Sequence, residues 1–133
     1  MMDPTEQTYL ERNRHSADLY GRALQVLPGG NTRTTVFFSP YPFYAVRGEG
    51  FRVWDADGNV QIDFLNNYTS LILGHAHPKV VAAIAEAATR GTAFAAPTEY
   101  EILLAEELCR RVRSVERVRF TNSGTEATML AIR

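Results

Sequence analysis

Residues 118–133 read VRFTNSGTEATMLAIR, and the fold class turns on how this stretch is parsed. The β-branched residues of 115–121 favour a strand, Asn122, Ser123 and Gly124 break it, and from Thr125 the pattern becomes helical. A strand, a small-residue turn and a helix in that order open an α/β unit, whose strand needs a parallel neighbour. Such a turn aims the unpaired N–H groups of the next helix, and the positive end of its dipole, at the space above the sheet. In form this is a phosphate site: Gly124 lets the backbone approach an anion, and the hydroxyls of Ser123 and Thr125 add donors. The same letters also fit a capping box, with Ser123 as cap and Glu126 three residues on, which needs no ligand. Spacing alone leaves the two equal. The G-x-G-x-x-G triplet of a dinucleotide turn is absent. The helical pattern then reaches Arg133 without a cap, so the chain is expected to be a fragment.

Upstream, Thr98 with Glu101 forms a second capping-box pattern, and Leu103, Leu104, Leu108 and Val112 give the following helix its apolar face. Pro78 stands at the first turn of a helix expected to run to about Arg90, where Gly91 stops it. Further back, Phe43 to Arg47, Phe51 to Trp54 and Val60 to Phe64, with the turn Asp55, Ala56, Asp57, Gly58, read as a small antiparallel meander. The segment Asn31 to Pro42 has no period and reads as an ordered loop of the kind that carries ligand contacts. Residues 4 to 27 have apolar groups near helical spacing, with Asp3 and Pro4 as a start signal and Pro28, Gly29 and Gly30 as a stop.

Bulk properties narrow the function classes. Fourteen basic residues against fifteen acidic ones give a net charge of -1, so no global field draws the chain to nucleic acid or to an anionic membrane. The single cysteine, Cys109, cannot form an internal disulfide and sits in an apolar helical stretch, which suits packing in a reducing compartment. Asp3, Glu6 and Glu11 are wrong for a signal peptide, and no run approaches the roughly 20 apolar residues of a membrane span. A soluble, cytoplasmic protein is expected.

Several side chains invite a chemical role and have a plainer one. His75 and His77 stand two apart, but zinc needs about three protein ligands and no third lies nearby, so no metal is expected and His77 is read as helping to cap the helix after it. Asp55 and Asp57 beside Gly58 are turn formers before they are acids. Phe37, Phe38, Tyr41, Phe43 and Tyr44 either line an apolar pocket or pack their own loop.

The motifs carry further as a series. LPGGNTR at Leu27 to Arg33, WDADGN at Trp54 to Asn59, GHAHP at Gly74 to Pro78, APTEYE at Ala96 to Glu101 and RFTNSGTEAT at Arg119 to Thr128 resemble, in order and rough spacing, the class III pyridoxal-phosphate (PLP) aminotransferases and aminomutases. The APTE and NSGTEAT stretches are similar to glutamate-1-semialdehyde aminomutase. PGGNTR, the aromatic loop and the NYT at Asn67 to Thr69 are more similar to β-phenylalanine aminotransferase, toward which the reading leans.

The resemblance implies an N-terminal part of a fold type I PLP-dependent transferase. Residues 1–70 would give the N-terminal helix, loop and meander of a small domain, and residues 71–133 the start of a large parallel-sheet domain. It implies a transaminase that moves an amino group from an amino acid, with β-amino acids among the candidates, to a keto acid, as a homodimer. Ser123, Gly124 and Thr125 would hold the cofactor phosphate, Arg33 the substrate carboxylate, and Tyr68 would lie near the substrate. A guanidinium suits the carboxylate, since its fork is bidentate and always charged, although apart from the motif Arg33 would read as a solvated loop arginine and Tyr68 as core. No catalytic residue is assigned. The family's Schiff-base lysine comes later in the chain, and the one lysine here, Lys79, falls in the first turn of a helix expected to be exposed. Two alternatives stay open: an aminomutase, and a truncated, non-catalytic remnant or pairing module.

Overall fold

The computed structural model describes residues 3–133. It is an α/β structure whose elements follow in the order α1 (Pro4–Arg12), α2 (Arg14–Ala23), β1 (Ala45–Glu49), β2 (Arg52–Asp55), β3 (Val60–Ile62), α3 (Pro78–Ala88), α4 (Glu99–Arg111) and α5 (Gly124–Ile132). They form two compact units, the first ending at Glu86 and the second spanning Ala87–Arg133.

In the first unit the three strands form one antiparallel sheet in the order β1-β2-β3, as the alternating runs and the Asp-Ala-Asp-Gly turn predict. Asp55 makes that turn from inside: its Oδ1 accepts the Asp57 and Asn59 amides at 3.0 and 2.8 Å, and its Oδ2 accepts from Asn59 Nδ2 at 3.0 Å. The side chain is fully buried with those donors around it, which is what a buried carboxylate requires.

The sequence suggests one N-terminal helix where the structure has two. Asp3 does start the first, accepting the Thr5 amide. At Asn13 the backbone leaves the helical region (φ -126°, ψ 42°), where the Asn13 side-chain Nδ2 donates back to the Tyr9 carbonyl at 2.9 Å and competes with the helix. The amides so exposed at the start of α2 are taken over from 41 and 42 residues away. Asp57 accepts from His15 N at 2.6 Å and from Ser16 N and Oγ at 3.0 and 2.6 Å. A turn aspartate in the meander thus takes the capping bonds that the N-cap residue Asn13 does not make, and it ties helix to sheet. Burial pushes the Asp57 carboxyl up, but the bonds from Ser16 and His15 outweigh it and hold the group below the usual carboxylate range.

Past α2 the chain turns through Pro28–Gly30. Gly30 has φ 72°, and a Cβ there would lie 2.4 Å from the Tyr20 ring, so only glycine carries the chain into the loop that follows. That loop is ordered by its aromatics. Phe37 packs on Tyr20 (centroids 6.0 Å apart), Phe38 edge-on to Tyr9 (5.7 Å) and Tyr41 against both tyrosines (5.6 and 6.2 Å). Of the two readings of this cluster, the packed loop is the one found. Tyr41 is the sole buried apolar side chain among the described residues. Tyr9 donates to the Tyr41 carbonyl at 2.9 Å, and burial pushes its hydroxyl up to about 12.

In the second unit α4 begins after Thr98, but the Thr98 side chain makes no capping bond, so the capping box expected there does not form. Residues 115–121 have strand composition but form no strand among the described residues. An extended run becomes a strand only when a neighbour supplies the ladder. Cys109 lies against this run, its thiol 3.6 Å from the Glu116 carbonyl. Large apolar side chains stay open to solvent in both units, Phe64 at 91% and Ile132 at 84% among them. No helix among the described residues is long and apolar enough to cross a membrane.

Candidate functional site

Two separate places carry the residues singled out in the sequence. The first gathers Arg33 and Tyr68, 35 positions apart in sequence. The Arg33 guanidinium carbon lies 5.0 Å from the centre of the Tyr68 ring, within cation–π range. Its Nη1 donates to Asn67 Oδ1 at 3.3 Å. Tyr68 is pinned in turn, its hydroxyl donating to the Thr35 carbonyl at 2.9 Å. The guanidinium is exposed, and its Nε and Nη2 donors have no partner among the described residues. Held at one corner and in cation–π contact, with donors to spare, it can receive a carboxylate.

The backbone presenting Tyr68 is unusual. Asn66, Asn67, Tyr68 and Thr69 have φ values of 51°, 45°, 56° and 67°, four successive residues in the left-handed region, where each non-glycine residue costs about 1 kcal/mol or more. The turn is braced on both sides. Asp63 Oδ1 accepts the Leu65 and Asn66 amides at 3.0 and 2.8 Å, and Asp63 Oδ2 meets His75 Nε2 at 2.7 Å. The His75 bond first, with the Asn66 and Leu65 amides, holds the Asp63 carboxyl below its usual range. His75 itself is bridged to Gly50 by paired backbone bonds of 2.8 and 2.9 Å. Gly74 permits this approach: its φ is 77°, and a Cβ there would stand 2.7 Å from the Gly50 oxygen. The GHAHP motif is therefore a clasp between the turn and the meander. His77 starts α3 through its backbone, its carbonyl accepting the Val80 and Val81 amides, while its Nδ1 is buried without a partner. No group of three or more metal-ligating side chains occurs among the described residues.

The second place is the turn at Ser123. Ser123 is the N-cap of α5, its Oγ accepting from Glu126 N at 3.2 Å, and Glu126 Oε2 accepts from Asn122 N at 2.8 Å. The cap anticipated from the spacing thus forms, with Glu126 reaching one residue further back than the usual box. It leaves room for the phosphate reading too. The Gly124 and Thr125 amides meet no acceptor among the described residues, and a Cβ on Gly124 would meet nothing within 4 Å. Neither backbone conformation nor crowding requires glycine there. An N-terminus with two open amides and clear space over its glycine fits an anion such as the PLP phosphate, while the Glu126 carboxylate already draws on the same turn. Lys79 stands exposed in the first turn of α3.

Asn67, Asp63 and His75 were not marked as site residues from the sequence. Asp63 three positions before Asn66 is a local turn signal; the NYT motif contains Asn67 without tying it to Arg33, and nothing local pairs Asp63 with His75.

The described residues thus offer two groups suited to an anion, the open amides at the start of α5 and the spare donors of Arg33. The model of the Aminotransferase class-III family matches residues 37–133, and the chain belongs to that family. It is 52% identical over 118 residues to a glutamate-1-semialdehyde 2,1-aminomutase of Methanothermobacter thermautotrophicus, covering 89% of this chain and 28% of that protein. Among solved structures it is similar to an omega-transaminase from Sphaerobacter thermophilus (60% identity, TM-score 0.85, 88% of this chain and 27% of that one). A transaminase solved with PLP bound matches at 56% identity and TM-score 0.87, over 90% and 28% of the two chains. A β-phenylalanine aminotransferase from Variovorax paradoxus matches at 36% identity and TM-score 0.90, over 95% and 29%. The chain therefore spans under a third of the length of the relatives it matches.

Proposed function

We propose that this chain is the N-terminal part of a PLP-dependent aminotransferase that moves an amino group from an amino acid, β-amino acids included, to a keto acid, and works as a cytoplasmic homodimer. The observation that carries the reading is Arg33, in cation–π contact with Tyr68 and tied at one corner by Asn67, with donors left over. Its fixed positive charge binds the substrate carboxylate and orients the amine. The Tyr68 ring, 5.0 Å from the guanidinium carbon, adds a cation–π contact that limits where the charge can stand. Ser123, Gly124 and Thr125 hold the cofactor phosphate through the Gly124 and Thr125 amides, with Thr125 adding a hydroxyl. Bound PLP supplies the electron sink that amino transfer needs. Residues 1–70 belong to the small domain and 71–133 open the large one. Lys79 is given no catalytic part, and the reacting lysine is expected in a later stretch that family-length relatives possess.

The 52% identity to a named aminomutase favours a second reading, in which the amino group moves within one substrate. Product analysis separates them. The PLP-loaded full-length protein is incubated with α- and β-amino acids and a keto acid, and separately with an amino aldehyde acid alone. Formation of a keto product stoichiometric with a new amino acid supports transfer, isomerisation without acceptor supports the mutase, and neither product sinks both.

A further inference from the structure

The left-handed turn is more elaborate than a loop that only delivers Tyr68 would need. Four strained residues persist because Asp63 holds the entry amides and the Gly50–His75 bridge holds the exit, and strain so over-determined points to a geometry worth keeping. Within the turn, the side chain whose direction is fully specified is Asn67. Its Nδ2 donates to Ser70 Oγ at 2.9 Å, and Ser70 Oγ in turn donates to the Asn67 carbonyl at 2.8 Å. With the amide nitrogen so committed, the oxygen faces outward and accepts from Arg33 Nη1 at 3.3 Å. An arginine in an exposed loop otherwise rotates freely about its side-chain bonds and loses that freedom on binding.

We propose that Asn67 is a positioning residue for Arg33, the left-handed turn holding its Oδ1 on one corner of the guanidinium and the Tyr68 ring within cation–π range of it, so that the remaining donors are set in advance for a carboxylate. The inference rests on the reading of Arg33 as the carboxylate anchor. It adds that the specificity for an acid over the matching amine depends on Asn67 and Ser70, neither of which touches the substrate. Asparagine suits the place twice over, since it tolerates the left-handed region and offers a neutral acceptor. An aspartate would neutralise the guanidinium that must meet an anion.

The test uses Asn67→Gly, which removes the amide while keeping, and easing, the left-handed backbone. In the PLP-loaded full-length protein, KM for the amino acid is expected to rise about two- to twelvefold, the weight of one ordinary exposed hydrogen bond, with kcat changed less than about twofold. The carboxylate-free amine should show no change, and Asn67→Gly added to Arg33→Ala should cost nothing further. Asn67→Asp should raise KM for the acid more than Asn67→Gly does. A second measurement reads Arg33 directly: in the protein carrying 15N-arginine, rotation about the Arg33 guanidinium bond should be slow in the parent and fast in Asn67→Gly and Ser70→Ala. Equal KM changes for acid and amine, or guanidinium rotation unaffected by either substitution, would overturn the proposal. Because the spectroscopic arm needs no turnover, a protein that transfers no amino group would defeat the functional reading and still decide this one.

Discussion

The Arg33 loop and the Ser123 turn each present groups suited to an anion, and they are built in opposite ways. Arg33 is placed by residues from distant parts of the sequence: Asn67 and Tyr68 from the left-handed turn, Asp63 beneath it, and His75 and Gly50 beneath that. The Ser123 turn is built by its own neighbours, with every side-chain bond at Asn122, Ser123 and Glu126 made within four residues. A flexible guanidinium must be told where to stand, so its support reaches far. Backbone amides at a helix start are placed by the helix itself and need only to be left uncovered. The contrast predicts that mutations near Arg33 act through geometry and those near Ser123 through access.

The sharpest test of that contrast is Arg33→Ala. Losing a charge-assisted bidentate contact should cost roughly 2 to 4 kcal/mol, about thirty- to a thousandfold in kcat/KM for an amino acid. The carboxylate-free amine should lose little, and PLP affinity should hardly move. Arg33→Lys should rescue in part, since a point charge cannot reproduce the fork. Steady-state kinetics on the acid and amine pair checks this, and equal losses on both would make Arg33 a structural residue.

Next in size is the frame of the first unit. Asp57→Ala removes three bonds from the start of α2 and should destabilise the protein by about 2 to 3 kcal/mol, read as a lowered denaturation midpoint. Phosphate or PLP affinity at Ser123 should not follow. If Asp57→Ala leaves stability within about 0.5 kcal/mol of the parent, the long-range cap is not what joins helix to meander.

The same frame sets a pH dependence. Asp57 and Asp63 are both held below the usual carboxylate range in the folded protein. Their contribution is therefore complete above the unfolded value near 4 and is lost as pH falls through the lower folded values. Thermal midpoints should stay level from about pH 7 to 5 as far as these groups are concerned, then fall on further acidification. Asp57→Asn should flatten that fall. A variant whose acid profile matches the parent's would show that some other group carries it.

How much of this was legible in the sequence divides along the same line. Features written in adjacent residues came through: the meander, whose turn needs Asp and Gly at fixed offsets, α3 begun at Pro78, and α5 capped by Ser123 with Glu126. The break at Asn13 did not, because an asparagine inside a helical pattern is tolerated unless something else takes up the freed amides, and that something is Asp57, more than 40 residues on. The Thr98 cap failed for the converse reason, that a matching spacing does not oblige the side chain to turn inward. Family motifs pointed to Arg33 and Tyr68 separately; their contact with each other, and the bonds of Asn67, Asp63 and His75 that hold them, come from residues no local pattern brings together. Residues 115–121 have strand composition, but a ladder is a property of two segments and one alone cannot express it.

The smallest effect on stability, and the most discriminating in sign, is expected at Gly124. Its conformation is open to any residue and an added Cβ meets nothing within 4 Å, so Gly124→Ala should leave the fold alone or stabilise it by about 0.5 to 1 kcal/mol through a less flexible unfolded chain. If the space above the turn is where a phosphate sits, the same methyl group stands between the anion and the Gly124 and Thr125 amides. Affinity for PLP should then fall by about 1 to 3 kcal/mol, the usual cost of one methyl too many in a fitted site, or roughly five- to a hundred-and-fifty-fold. A more stable protein that binds PLP worse is an outcome no purely structural role for glycine produces. Calorimetric titration with PLP beside a denaturation curve decides it: unchanged affinity with unchanged stability would mean that the turn is a capped helix start and nothing more, and the contrast between a placed side chain and an uncovered backbone would lose its second half.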